Sequence, residues 1–137
     1  GLDPRKIAKI VFSDSRRRKT LESVIHPYVF ERIADEIGQA EEKVVIADVP
    51  LLFESGYDRF CDKTIVVKAT EEVMRKRLCE KGFTREEIDS RWKAQLPLAE
   101  KIERADEVID NSETFQKTRT RVEEVWKTLH SCPKGAK

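Results

Sequence analysis

At 137 residues the chain is long enough for one domain with a modest core. Twenty-seven Lys and Arg against 26 Asp and Glu leave a formal charge of +1, which excludes the global basic bias of a nucleic-acid or anionic-membrane binder; any anion site must be local. Charged residues make up 39% of the chain, yet apolar residues recur at helix and strand periods, so the pattern is that of a folded domain with a charged surface. No apolar run is long enough to span a bilayer and no secretory signal is visible. Cys61, Cys79 and Cys132 are odd in number and scattered, as suits reduced thiols in a cytoplasmic protein, and with His26 and His130 they make no metal-ligand spacing. The chain opens at Gly1 and not at methionine, which suits a processed, tagged or truncated product.

In chain order, Asp3-Pro4 caps a short first helix that carries Ile7, Ile10 and Val11 on one face. Ser13-Asp14-Ser15 offers the next cap. The cations Arg16-Arg17-Arg18-Lys19 form an anion patch or, as the preferred reading, a solvated helix start, because consecutive helical positions point in all directions. His26-Pro27 predicts a break, since the residue before proline disfavours the helical region. A further helix places Phe30, Ile33, Ala34 and Ile37 on one side and stops at Gly38.

The stretch Val44-Val45-Ile46-Ala47-Asp48-Val49-Pro50 predicts the central strand, buried on both faces, with Asp48 at its carboxyl end where open α/β sheets hold their ligands. Thr64-Ile65-Val66-Val67 predicts a second strand. Thr70 with Glu71 and Glu72 opens a helix that ends at Gly82, and Thr84 with Glu87 fits a capping box. The helix from Thr84 has a narrow apolar stripe, Ile88 and Trp92, so it is not deeply buried; Pro97 interrupts it. A third strand is predicted around Val108 and Ile109. Asn111 or Ser112 then caps a last helix whose Phe115, Val122, Val125, Trp126 and Leu129 are read as core, and 131–137 are read as a disordered tail. A cationic, weakly anchored excursion between strands, beside an acid at a strand end, suits phosphoryl transfer.

The run Val45-Ile46-Ala47-Asp48-Val49-Pro50-Leu51-Leu52-Phe53-Glu54 closely resembles the strand and loop of dephospho-CoA kinases. Further pieces follow in that family's order: Leu21-Glu22, His26-Pro27, Arg77-Leu78, Arg91 with Gln95 and Pro97, and Ala105-Asp106 with Val108-Ile109-Asp110-Asn111. The resemblance implies an α/β, three-layer parallel-sheet fold of the P-loop kinase type in a single domain over 1–137. It also implies a helical substrate region at 1–40 and a helical lid at 80–104. It implies ATP as co-substrate, Mg2+, and dephospho-CoA as acceptor of the γ-phosphate on its 3′-hydroxyl. Carried over by position, Asp48, Arg91 and Lys101 are the catalytic candidates, with Asp48 meeting the metal through water. Arg77, Gln95 and Asn111 belong to the nucleotide side, and His26, Pro50, Leu51, Leu52 and Glu54 to the acceptor side.

One part of the family pattern has no counterpart. Members begin with a strand and a Gly-rich loop ending Gly-Lys-Ser or Gly-Lys-Thr, and no glycine here precedes Lys-Ser or Lys-Thr. The family's general base also falls outside the match, and Lys81 stands where members usually carry arginine. The expectation is a fold missing its first strand and phosphate loop, inactive alone, with an open sheet edge that favours self-association. Two alternatives stay open: a related nucleotide kinase, and a non-catalytic binding domain derived from the same fold.

Overall fold

The computed structural model of the chain describes residues 14–131, and the helix expected after Asp3 lies outside them, as does the tail from Cys132. The chain divides into two compact units, one of Gly1–Phe60 with Asp89–Gln95 and the other of Cys61–Ile88 with Leu96–Lys137. The described residues of the first unit are mainly helical.

Asp14 caps α1 (Ser15–Gln39), its Oδ1 accepting from the N–H of Arg16 at 2.9 Å and of Arg17 at 3.2 Å. Two of the four adjacent cations are then paired locally, Arg17 with Asp14 and Arg18 with Glu22. The expected break at His26-Pro27 does not occur, because α1 runs through Pro27. Proline deletes one hydrogen bond of a 25-residue helix, and the remaining bonds, with the ring of His26 stacked on Phe30, outweigh it. Nor does Gly38 end the helix. The left-handed glycines are Gly56 and Gly82, and α1 ends at Gln39 with Ala40 as its extended cap.

The central strand predicted at 44–49 is not formed. Those residues join no ladder, and Val45 and Ile46 are 44% and 73% exposed. An apolar, β-branched run becomes a strand only where another backbone meets its N–H and C=O groups, and the described strands pair with each other instead. Beyond this run the short helix α2 (Leu52–Ser55) ends at Gly56, and a 3-10 turn follows over Tyr57–Phe60. Phe53 and Tyr57 are the buried apolar residues here.

The second unit holds a parallel pair, β1 (Ile65–Lys68) and β2 (Glu107–Asp110), as the sequence predicted for these two strands. Register seats Val66 beside Val108 and Val67 beside Ile109, so buried Val66 and buried Ile109 point to opposite faces. Between the strands run α3 (Glu71–Glu80), α4 (Arg85–Lys93) and α5 (Leu98–Arg104). Thr70 caps α3 through Val73 N–H, and the helix closes with Gly82 N–H on Cys79 O and Phe83 N–H on Leu78 O, a Schellman turn around the positive φ of Gly82. The capping box of α4 is present in both directions between Thr84 and Glu87. Although most of α4 is exposed, Ile88 is the most deeply buried side chain among the described residues, at 1%.

The last helix, α6 (Phe115–Ser131), is capped by Thr114 and not by Asn111 or Ser112: Ser112 Oγ accepts from Thr70 N–H at the start of α3, and Asn111 Oδ1 accepts from Thr118 Oγ1 on α6 itself. Its stripe is core only at Val125, at 2% exposure, whereas Phe115, Val122 and Trp126 are exposed. Arg121 fastens the helix to β2, donating to Val108 O and to Glu107 Oε2.

Candidate active site

In the first unit Asp48 is exposed and stands directly before a tight turn. Leu52 N–H bonds Val49 O at 3.2 Å and Ser55 N–H bonds Leu51 O at 2.9 Å, which folds Pro50 to Glu54 into one compact corner. Phe53 and Tyr57 are buried, Leu51, Leu52 and Glu54 are half-buried, and Pro50 is exposed. Phe30 meets Tyr57 at 4.6 Å between ring centroids, and His26 stacks on Phe30 at 5.8 Å. Thus α1 carries His26 to the aromatic group that follows the Pro50–Glu54 corner. Half-buried Arg91 and exposed Gln95 belong to this unit as well.

Arg77, Lys101 and Asn111 belong to the second unit. Arg77 is exposed on the last turn of α3, and Lys101 is half-buried on α5. Asn111 lies just past β2. Its N–H extends the ladder to Lys68 O at 2.7 Å and its Oδ1 accepts from Thr118 Oγ1 at 3.1 Å.

Two acids whose structural roles went unassigned in the sequence reading organise this second unit. Asp106 accepts from Thr64 N–H at 2.8 Å, Thr64 Oγ1 at 2.9 Å and Lys63 Nζ at 3.0 Å, and its own N–H returns to Thr64 Oγ1. The backbone bond from Thr64, more than the Lys63 ammonium, holds its carboxyl below the usual range, against a partial burial that pushes it up. At the opposite, carboxyl ends of the strands, Asp110 pairs with Lys68 at 2.8 Å and accepts from Ser112 N–H at 2.8 Å. Lys68 first, then Ser112, lower its carboxyl to about 2. Ser112 Oγ in turn accepts from Thr70 N–H, tying the end of β2 to the start of α3. The only sequence signal for these clamps was an acid or hydroxyl at each strand end.

Among the described residues no three His, Cys, Asp or Glu gather into a metal site, and no helix is long and apolar enough to cross a membrane. Magnesium commonly keeps several waters and takes one or two carboxylates plus phosphate oxygens, and the exposed carboxylate of Asp48 suits that mode.

Comparison with known proteins adds the family. A family model described as dephospho-CoA kinase matches residues 1–117. A dephospho-CoA kinase of Geobacillus kaustophilus is 41% identical over 125 residues, 88% of this chain and 62% of the relative. That of Aquifex aeolicus is 36% identical, covering 97% of this chain and 68% of its own length. Among solved structures, TT1252 from Thermus thermophilus superposes with a TM-score of 0.75 at 35% identity, over 93% of this chain and 68% of that one. A dephospho-CoA kinase from Campylobacter jejuni gives 0.60 at 28% identity, over 93% and 65%. The chain therefore spans about three fifths to two thirds of the length of these relatives. With the α/β fold, the parallel strand pair and the Asp48 to Glu54 corner in place, the match over most of its residues shows that the chain belongs to the dephospho-CoA kinase family.

Proposed function

We propose that this chain supplies the acceptor region and lid of an ATP:dephospho-CoA 3′-phosphotransferase, the last step of coenzyme A biosynthesis, in the cytoplasm. The observation that carries the reading is the family match over residues 1–117, which includes the whole Asp48 to Glu54 corner. In the reaction the acceptor 3′-hydroxyl oxygen forms a bond to the γ-phosphorus of ATP as the bond to the β-bridging oxygen breaks, the hydroxyl proton passes to a general base, and ADP leaves. Magnesium, when bound, neutralises charge on the phosphates. Asp48 would hold the metal, and Arg77, Arg91 and Lys101 from residues 80–104 and the adjoining helix balance the phosphate charge. Gln95 shapes the lid and Asn111 meets the donor adenine. His26 and the Pro50, Leu51, Leu52 and Glu54 corner hold the acceptor within region 1–40 and the loop that follows.

We further propose that the 137 residues alone do not catalyse transfer, because they contain no Gly-Lys-Ser or Gly-Lys-Thr loop to cradle the ATP phosphates. The same sequence observation favours a second reading, a binding domain that holds the coenzyme precursor without turnover. Incubation with ATP, Mg2+ and dephospho-CoA tests both. The chain alone is expected to form no coenzyme A. Joined to the part of the Geobacillus kaustophilus relative that the match leaves uncovered, it is expected to regain transfer, and to lose about 100-fold or more on Asp48→Asn. Coenzyme A formation by the 137 residues alone overturns the inactivity. A folded fusion that phosphorylates another nucleotide and leaves dephospho-CoA untouched overturns the acceptor assignment.

A further inference from the structure

The 3-10 turn that leaves the Pro50 to Glu54 corner ends in an aromatic ring turned towards water. Phe60 is 62% exposed, and the guanidinium of Arg59 lies 4.9 Å from its centroid. The ring is fixed from behind: Tyr57, only 5% exposed, meets it at 5.4 Å and 47°, and Phe30 meets it at 6.3 Å and 60°. These tilted contacts use ring edges and faces inside the cluster, Arg59 lies over one face, and the residue still exposes 62% of its surface. The exposed Phe115 on α6 differs, since among the described residues it has no ring or cation contact. An aromatic ring braced by two neighbours, with a guanidinium over one of its faces, matches one chemistry well, a flat base joined to a phosphate. Bases stack on aromatic side chains and on Arg planes with about 1–3 kcal/mol per base, and a guanidinium pairs with phosphate oxygens.

We propose that Phe60 with Arg59 forms a stacking platform for the adenine ring of the acceptor nucleotide, with the guanidinium next to its phosphates. The proposal rests on the acceptor reading above and extends it to the residues that select an adenine-bearing acceptor. It follows from placement: the platform lies in the same unit as the Pro50 to Glu54 corner, and Phe30 connects it to α1 and to His26. A stacked ring needs little further ordering to bind, because Tyr57 and Phe30 already hold it.

Calorimetric titration of the 137-residue chain with dephospho-CoA, AMP, ATP and 4′-phosphopantetheine, which lacks the base, tests the platform. Phe60→Leu is expected to weaken dephospho-CoA and AMP about 10-fold and to leave 4′-phosphopantetheine unchanged, whereas Phe60→Tyr keeps the affinity. In proton NMR the adenine H2 and H8 resonances of bound AMP are expected to move upfield with the wild type and not with Phe60→Leu. Equal dephospho-CoA affinity of wild type and Phe60→Leu overturns the platform and leaves the acceptor reading standing. Weakening of ATP alone assigns the ring to the donor and overturns it too. Failure of the wild type to bind dephospho-CoA overturns both the platform and the acceptor reading.

Discussion

Two apolar, β-branched runs of similar composition meet opposite fates in this chain. Thr64-Ile65-Val66-Val67 enters a parallel ladder with β2, whereas residues 44–49 join none and leave Ile46 73% exposed. The difference is not β-propensity, since 44–49 is the more continuous apolar run. The ladder is clamped at both ends, by Asp106 across Lys63 and Thr64 at one and by Asp110, Ser112 and Thr70 at the other, with Arg121 fastening α6 to β2. Residues 44–49 have no such partner among the described residues. A strand is thus a property of a pair, and the polar residues at its ends do as much to define it as the apolar residues within it.

This contrast can be broken by substitution. Ile88→Ala, at the most buried position of the ladder-bearing unit, is expected to cost about 2–5 kcal/mol in urea unfolding of the 137-residue chain, while Ile46→Ala stays within about 0.5 kcal/mol. A comparable cost at both sites means that 44–49 is packed and that the contrast fails. A smaller loss is expected from Asp106→Ala. It removes three donors' acceptor at a partly exposed site, and about 2 kcal/mol is the scale for such charge-assisted bonds. The same variant should speed amide exchange at Thr64 and Glu107 and leave 44–49 as it was; uniform acceleration across the chain refutes a local clamp.

The smallest effect concerns acid. Asp110 titrates at about 2 in the fold against an ordinary value of 3.8, so its unfolded form takes up a proton first. The stability it contributes is complete above the unfolded value and disappears as pH falls through the folded one. The urea midpoint is therefore expected to drop between about pH 4 and 2, and less steeply in Asp110→Asn. Since the Lys68 pair is solvent-exposed, only the slope is predicted, and identical slopes for wild type and variant remove Asp110 from the account.

Local rules read from the residues succeeded where a few neighbouring atoms decide the outcome. The Asp14 cap, the Thr84 and Glu87 box, the Gly82 turn and the β1 and β2 segments all depend on side chains or φ angles within a few positions. They failed where a distant group settles the matter. Pro27 sits inside a helix long enough to absorb one missing bond, and the α6 stripe read as core is core only at Val125. Of the candidate site, the Asp48 to Glu54 corner was legible because its motif is contiguous. The aromatic group of His26, Phe30, Tyr57 and Phe60 was not, because α1 and the 3-10 turn bring together rings far apart in sequence.

The amino-acid sequence by itself determined the family, through a contiguous loop motif and an ordered set of short pieces, and it determined the helix ends at Asp14, Thr70, Gly82 and Thr84, because capping there is local chemistry. Tertiary structure alone decided which apolar runs became strands, since backbone hydrogen bonds need a second segment at the right register. It also decided which apolar residues were buried. Burial of Ile88 and Val125 beside the exposure of Ile46 and Phe115 reflects what each face meets, and no residue carries that information in its own side chain.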